Sequence, residues 1–287
     1  MRGSGPLLTR LRTDTQRPPK TDNECDFLTS QVQIEVEAGR FSPSFGMNLL
    51  PGMYSPPVHA VPKPNSDTLH LVVDHSAGNN NLNSMIAHED VSGVHLNGIH
   101  SLGASIIHAK DLNPHVNLII YKSDVSAAYR QLPMHPLYQI LQIITVDGQR
   151  YIDRCNNLSG HASQIIWQSF ISLIVWILVF KRGLQALKCY VNDAFLVTQD
   201  GQISWYATFQ HSMPSDQVTI LHLWDEIKLP HAEKKQISGP IVPILGFEVD
   251  PNEMTAYLSL EKWQQLIDSI QSFMWGSFKS GSAWLDN

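Results

Sequence analysis

Apolar and polar positions along the chain follow two different periods, and together they predict a protein that mixes strands with helices. Runs of β-branched and other apolar residues predict strands at 69–74, 116–125, 140–146, 149–152, 184–190, 194–198 and 244–249. Two pairs of these runs are separated by residues typical of tight turns, Asp147-Gly148 and Asn192-Asp193. Each pair is therefore predicted to form a β-hairpin.

Helices are predicted where apolar residues recur every three or four positions. They are expected at 29–39 with Thr29 as the cap, at 161–182 in a mostly buried helix, from Pro214-Ser215 onwards, and at 258–274 with Ser259 as the cap. The prolines between positions 43 and 64 argue against a long helix or a central strand there. The resulting order of elements predicts the α+β class, with helices on one face of a sheet.

The composition changes this picture little, because 43% hydrophobic and 16% charged residues over 287 positions describe an ordinary globular protein. A net charge of −6 does not favour nucleic-acid binding, although a local cluster of lysines and arginines can outweigh the total. The three cysteines lie far apart without a CxxC spacing. They argue against a disulfide framework or a zinc module and fit a reducing compartment.

Residues 1–27 are polar, include two consecutive prolines, and are expected to form a disordered leader. The start of the chain lacks the apolar core of a secretory signal. The apolar stretch 165–180 is shorter than the roughly 20 residues that a membrane span needs, so a buried helix is expected there. We therefore expect an intracellular protein that does not use a membrane.

Two acidic sites stand at the ends of predicted strands. Asp124 ends the run 116–125, and Asp193 lies at the tip of the second hairpin. Taken singly, each is an ordinary strand-end or turn residue. Taken together, they are the residue type that holds two divalent metals in enzymes that join nucleotides. We expect the two carboxylates to converge at neighbouring strand ends.

The order and spacing of these sites resemble the palm of retroelement reverse transcriptases, where the second site usually reads Tyr-x-Asp-Asp. Here it reads Tyr190-Val-Asn-Asp193, so Asn192 occupies the position of the first aspartate. The segments 121–136 and 244–250 resemble the reverse transcriptases of tyrosine-recombinase (DIRS-like) retrotransposons. The resemblance implies a right-hand fold with an antiparallel palm sheet packed on helices, with fingers and a truncated thumb.

The resemblance also implies nucleotide-binding residues. Lys63 matches a lysine of the fingers that binds the triphosphate, and His70 stands where the family has an arginine. Tyr129 matches a bulky ring that excludes a 2′-hydroxyl. Gly160 and Gln164 match the segment that seats the template and the new base pair.

Further along, the segment 229–235 resembles the motif whose lysine lies near the leaving pyrophosphate. Lys234 and Lys235 both fit, and Lys235 is preferred. Leu245, Gly246 and Phe247 resemble the primer-grip hairpin before the thumb. The implied division is a leader at 1–27, a fingers–palm domain at 28–257, and the start of a thumb helix with a loose tail at 258–287.

The implied function is an RNA-directed DNA polymerase that uses two Mg²⁺ or Mn²⁺ ions. Its partners are an RNA or DNA template with a primer, and deoxynucleoside triphosphates; no protein partner is evident. Because Asn192 lacks a negative charge, we expect weak activity or none. Two alternatives stay open, namely a catalytically inactive nucleic-acid-binding protein and an inert remnant of a retroelement.

Overall fold

The computed structural model describes residues 21–62, 68–79, 81–94 and 96–281, with side chains in the last helix described through residue 274. The chain forms two compact units. The first comprises Met1–His95 and Ala127–Leu173, and the second comprises Leu96–Ser126 and Ile174–Asn287. Both contain helices and antiparallel strands, as the predicted α+β class requires.

The first unit is built around one long helix and two hairpins. Its elements are α1 (Asp22–Glu37), β1 (Val58–Pro62), β2 (Leu69–Val73), α2 (His88–Val91), α4 (Pro136–Gln139), β4 (Ile143–Val146), β5 (Gln149–Ile152) and the first part of α5 (Ser163–Lys181). Strand β1 pairs with β2, and β4 pairs with β5, both antiparallel. The apolar face of α1, with Leu28 and Val32, packs on Val58, Val73 and Ile144 to form the core of this unit.

Helix α1 begins earlier than predicted. It starts at Asp22 because the side chain of Thr21, rather than that of Thr29, caps it by accepting a hydrogen bond from the backbone of Glu24 at 3.2 Å. Residues 22–27 are therefore helical and do not belong to a disordered leader. Residues 1–20, the rest of that predicted leader, lie outside the described part of the chain.

The β4–β5 hairpin confirms the prediction made from Asp147-Gly148. Both turn residues have positive φ, 50° at Asp147 and 70° at Gly148, and Val146 pairs with Gln149 across them. Positive φ at both central residues follows the right-handed twist of the strands, and aspartate and glycine tolerate it. The two turn residues are enough to determine where this hairpin reverses.

The second unit is built on a four-stranded antiparallel sheet, in which residues 231–239, 118–125, 193–199 and 188–190 lie side by side in that order. Its elements are α3 (Ile99–Leu112), β3 (Leu118–Val125), the second part of α5, β6 (Lys188–Tyr190), β7 (Asp193–Gln199), β8 (Ile203–Tyr206), β9 (His211–Pro214), α6 (Ser215–Glu226), β10 (His231–Gly239), β11 (Val242–Ile244), β12 (Phe247–Asp250), β13 (Thr255–Leu258) and α7 (Leu260–Gly281). Leu102 and Ile106 of α3 pack on Ile120 and Phe195 of the sheet, which fixes β3 and β7 in the core.

The predicted strand 244–249 is wrong in one respect, because a turn interrupts it. Leu245 has φ 50° and Gly246 has φ 95°, so the chain reverses there and Ile244 pairs with Phe247. The strands β11, β12 and β13 form a separate antiparallel sheet.

The last helix confirms one prediction and corrects another. Ser259 accepts a hydrogen bond from the backbone of Lys262 at 3.4 Å, as expected of the cap. The helix then continues to Gly281. Residues 275–281, which were expected to form a loose tail, are therefore helical. The sequence has no proline after 274 that would have ended the helix.

Helix α5 confirms the predicted helix but is less buried than expected. Its buried side chains follow one stripe, with Trp167, Ile171, Ile174 and Leu178 below 4% exposure, while Phe180 is 68% exposed. Among the described residues it is the one helix long and apolar enough to span a membrane, and 28% of its most apolar window is buried. Core helices of proteins in water can pass the same test of length and composition.

Candidate active site

Asp124 and Asp193 lie opposite each other on adjacent strands. Asp124 is the next-to-last residue of β3, and Asp193 is the first residue of β7. In the antiparallel register their Cα atoms are partners, so the strand ends carry both carboxylates at the same end of the sheet. The predicted convergence of these two side chains is confirmed.

The turn between β6 and β7 presents Asn192 beside this pair. Tyr190 pairs with Asp193, which leaves Val191 and Asn192 as the two turn residues. Val191 has φ 55°, a conformation that β-branched side chains rarely adopt. The backbone N–H of Val125 donates to the carbonyl of Asn192 at 3.1 Å and ties the turn to the end of β3.

Both oxygens of the Asp124 carboxylate have hydrogen-bond donors. The Nδ2 group of Asn192 donates to Oδ2 at 2.8 Å, and the ammonium of Lys235 donates to Oδ1 at 2.6 Å. The Asp124 side chain is 19% exposed, so these charge-assisted contacts are only partly hydrated. The predicted lysine therefore contacts the first carboxylate directly.

The negative charge of the Asp193 carboxylate is less well neutralised by its neighbours than that of Asp124. The Nζ atom of Lys122 lies 3.9 Å from its Oδ2, beyond hydrogen-bond distance. Burial raises the pKa of Asp193, the positive charge of Lys122 lowers it, and the nearby Asp124 carboxylate raises it further, to about 6 overall. This carboxyl is thus costly to ionise in the folded protein.

Sequence reasoning gave no role to two residues that hold this end of the sheet. Lys122 precedes Asp124 by two positions on β3, so the alternation of a strand places both on one face and could have predicted the contact. Gln217, buried on α6, donates to the hydroxyl of Ser123 at 3.1 Å. No local pattern predicts this second contact, because the partners are 94 residues apart.

Carboxylate oxygens are the ligands that Mg²⁺ and Mn²⁺ prefer, and Asp124 and Asp193 provide them. Within the described ranges, no group of three or more His, Cys, Asp or Glu side chains comes together in a way that could hold a metal. The ammonium of Lys235 occupies one Asp124 oxygen, and position 192 offers an amide. The donor set is therefore of the right type for a divalent ion, but it is short by one carboxylate.

In the first unit, His70 and Tyr129 come together. Both line a cavity of about 370 Å³, whose wall also includes Arg130, Asp153 and Asn157. His70 lies on β2, and Tyr129 lies in a short 3₁₀ turn at Ala128–Gln131. Lys63, the third residue predicted to contact the nucleotide here, lies outside the described residues.

Gly160 and Gln164 do not line that cavity. Gly160 precedes α5, where an added Cβ would lie 2.6 Å from the hydroxyl of Ser163, so a larger residue would need a shift there. Gln164 is exposed in the first turn of the helix. Their predicted role in seating a template stays a prediction.

Leu245, Gly246 and Phe247 form the tip and the first strand residue of the β11–β12 hairpin. The ammonium of Lys262 on α7 donates to the carbonyl of Gly246 at 3.2 Å, so the tip is fastened to the last helix. A hairpin is the form that the predicted primer grip requires, and its contact with a primer stays a prediction.

Two solved structures of a foamy viral protease-reverse transcriptase are similar to the chain. The dRH form, in complex with double-stranded DNA, is 16% identical with a TM-score of 0.57, and the match covers 88% of this chain and 39% of that one. The other, also in complex with double-stranded DNA, is 14% identical with a TM-score of 0.58, and the match covers 88% and 46%. This chain therefore spans less than half the length of either.

No protein-family model and no curated protein matches the chain. Identities of 14–16% show the fold alone. The helices and antiparallel sheets, together with these matches over most of its length, show that this chain has the polymerase-like fold of a reverse transcriptase.

Proposed function

We propose that the chain is the fingers–palm part of a retroelement reverse transcriptase, an RNA-directed DNA polymerase whose rate is strongly reduced. The observation that carries the proposal is the register of β3 and β7, which places Asp124 opposite Asp193. Polymerases that use two metals need carboxylates from neighbouring strands at one place. The proposal includes the DIRS-like type, an intracellular location and a thumb whose first helix starts near residue 258.

In this proposal the carboxylates of Asp124 and Asp193 hold Mg²⁺ or Mn²⁺. When bound, such ions polarise a triphosphate and a primer 3′-oxygen. Lys235 must first leave the Asp124 oxygen that it contacts, and it is then available to neutralise a departing pyrophosphate. By the family resemblance, Tyr129 has the role of contacting a nucleotide sugar, and Lys63 and His70 have the role of contacting nucleotide phosphates.

Asn192 is the reason to expect a low rate. An amide in place of a carboxylate removes one negative charge beside the metal ligands, in a site that is partly shielded from water. A loss of several kcal/mol of electrostatic stabilisation is a reasonable order of magnitude. Each loss of about 1.36 kcal/mol lowers a rate tenfold, so the deficit amounts to several orders of magnitude.

The test is primer extension by the purified chain with Mg²⁺ and with Mn²⁺, on RNA and on DNA templates. Asn192→Asp is expected to raise incorporation by roughly a hundredfold or more, because it restores the missing charge. Asn48→Asp makes the same change at an exposed position of the first unit and is expected to leave incorporation unchanged.

A double variant, Asn192→Asp with His70→Arg, also restores a guanidinium that can contact phosphate in a bidentate manner. If this double variant incorporates no nucleotide with either metal, the chain is not a polymerase weakened at these two positions, and the proposal fails.

A second candidate function is nucleic-acid binding without catalysis. One observation favours it, since both oxygens of Asp124 already have donors within the protein, Asn192 and Lys235. A carboxylate satisfied in this way has less to gain from a metal ion.

This candidate predicts salt-sensitive binding of RNA or of an RNA–DNA hybrid, with no extension even after Asn192→Asp. Filter binding over a range of salt concentrations measures it. Absence of binding at low salt would exclude this function and leave the inert remnant.

A further inference from the structure

Strand β10 has a bulge opposite Asp124. The register joins His231 to Val125 on one side of Asp124 and Gln236 to Ser123 on the other, so five steps along β10 match two steps along β3. The extra residues of β10 lie beside the first carboxylate of the site. Bulges are frequent next to active sites, where they change the direction of a side chain.

The side-chain amide of Gln236 spans this bulge. Its Nε2 group donates to the carbonyl of Ala232 at 3.0 Å and to the carbonyl of Asp124 at 3.2 Å. A primary amide has two N–H groups, so one side chain satisfies both carbonyls. Gln236 is 9% exposed, and water therefore competes little for these two bonds.

Lys235, the residue before Gln236, contacts the other end of Asp124. Gln236 is buried whereas the side chain of Lys235 is 40% exposed, as the alternation of side chains along a strand requires. The ammonium of Lys235 donates to Oδ1 of Asp124 at 2.6 Å. Gln236 thus bonds to the backbone of Asp124, and its neighbour bonds to the carboxylate.

The direction of Lys235 depends on the register of β10. A slip of one residue would turn each side chain of the strand to the opposite face and take the ammonium of Lys235 away from Asp124. The two bonds of Gln236 connect the end of the bulge to its start and to β3, so they oppose such a slip.

We propose that Gln236 is a positioning residue that closes the β10 bulge and thereby holds Lys235 beside Asp124. The inference rests on the proposed function for the use of Lys235 in the reaction. There Lys235 gives up its contact with the carboxylate to a metal ion, but it has to stay within reach of the departing pyrophosphate. The positioning itself needs no substrate and can be tested in the chain alone.

The experiment is cross-linking of the full chain with a water-soluble carbodiimide. This reagent activates a carboxyl group, and an amine in contact with it then forms an amide while the reagent leaves as a urea. Mass spectrometry measures the yield of the peptide pair joined through Lys235 and Asp124. Gln236→Met keeps the length of the side chain but removes both donors, and we expect the yield to fall roughly tenfold.

Gln142→Met is the matched control. Gln142 is a buried glutamine of the first unit, and its Nε2 group also donates to two backbone carbonyls, those of Asp153 at 3.2 Å and Cys155 at 3.3 Å. This variant is expected to lose similar stability in denaturant unfolding and to keep the yield of the wild-type chain.

Gln236→Asn gives an independent result if Gln236→Met folds poorly by circular dichroism. It keeps the amide, but the side chain is one methylene shorter and does not reach both carbonyls. We expect a lower yield of the cross-link here too.

Primer extension in the Asn192→Asp background gives the functional readout. Gln236→Met is expected to lower kcat roughly tenfold or more at unchanged KM for the nucleotide, because Lys235 acts on the leaving group and not in binding.

The positioning role is overturned if the wild-type chain gives no cross-link between Lys235 and Asp124. It is also overturned if folded Gln236 variants give the same yield as the Gln142→Met control. A lost cross-link without a change in kcat contradicts the reaction role of Lys235. A chain that cross-links as expected but extends no primer, even with Asn192→Asp, contradicts the proposed function and leaves the positioning role intact.

Discussion

Each unit contains a cluster of two carboxylates and two cations, and the two clusters are built differently. In the first unit, Arg130 contacts Asp153 at 2.8 Å and Glu35 at 3.0 Å, and Arg40 contacts Glu35 at 2.8 Å. In the second unit, Lys235 contacts Asp124 at 2.6 Å, whereas Lys122 stays 3.9 Å from Asp193.

The residue types explain the difference. A planar guanidinium group can bind two carboxylates at once and is not deprotonated in proteins. The Arg130 cluster is therefore a rigid structural contact that stays charged. Burial raises the pKa of Glu35, but hydrogen bonds and charge from Arg40 and Arg130 outweigh it and lower that pKa, whereas burial prevails at Asp153 and raises its pKa. Lysines are point charges on flexible side chains. The Asp124–Asp193 cluster is consequently held less rigidly, because Lys122 stays beyond hydrogen-bond distance of Asp193.

The largest effect is expected from breaking the first cluster. Arg130→Met leaves the Asp153 carboxylate, which is 1% exposed, without its cation. We expect the free energy of unfolding to fall by about 3–5 kcal/mol, as for other buried ion pairs that lose one partner. Denaturant unfolding followed by circular dichroism measures the change.

The control for that variant is Arg182→Met. Arg182 also contacts a carboxylate at 2.8 Å, but its pair with Glu226 is 43% and 54% exposed. We expect a loss below about 1 kcal/mol. Equal losses in the two variants would contradict the structural role assigned to the Arg130 cluster.

The second prediction concerns the cost of ionising Asp193. Because its pKa is raised from 3.8 to about 6, the folded protein binds more protons than the unfolded chain between these values. The contribution of this carboxyl to stability therefore falls as the pH rises from about 4 to 6. Asp193→Asn removes the effect and is expected to stabilise the protein by about 1–2 kcal/mol at pH 7, less than the full shift implies because the carboxyl is partly hydrated.

Unfolding curves of Asp193→Asn and of the wild-type chain, recorded from pH 4 to pH 8, test this prediction. The difference between the two curves removes the contributions of other titrating groups. Asp90→Asn, at an exposed carboxyl, serves as the control. A difference that does not grow between pH 4 and pH 6 would show that Asp193 is not held in this costly state.

The smallest effect is expected at the turn that carries Asn192. Val191→Gly relieves a positive φ of 55° at a β-branched residue. Such strain costs about 1–3 kcal/mol, and glycine loses roughly 1 kcal/mol through the entropy of the unfolded chain, so a net gain of about 1 kcal/mol is expected.

Lys228→Gly is the matched control, because Lys228 has φ 56° without branching at Cβ. Its gain in thermal unfolding should be smaller. If Val191→Gly instead destabilises the protein, packing of the valine side chain outweighs the strain.

Sequence patterns predicted those features that a few neighbouring residues determine. The Asp147-Gly148 turn and the Ser259 cap were correct because each depends on its own backbone angles or hydrogen bonds. Convergence of Asp124 with Asp193 is correct because one apolar strand ends near Asp124, another begins at Asp193, and the two pair antiparallel in one sheet.

Features that depend on distant partners were missed. Gln217 reaches Ser123 from another helix, and no local spacing reveals such a contact. The exposed side of α5, with Phe180, was expected to be buried, because an apolar period shows which residues share a face and not whether that face is covered. The predicted start of α1 at Thr29 is too late, because the polar composition of residues 1–27 hides the capping role of Thr21.

Strand β6 lies at the edge of the four-stranded sheet, and Asn97 contacts its outer side. The backbone N–H of Asn97 donates to the carbonyl of Cys189 at 3.3 Å, and the side-chain oxygen of Asn97 accepts from the Cys189 N–H at 3.0 Å. An edge strand with unpaired backbone groups can pair with a strand of another molecule, which leads to aggregation. Because Asn97 bonds to both the N–H and the carbonyl of Cys189, these groups are not available to pair with a further strand at this edge of the sheet.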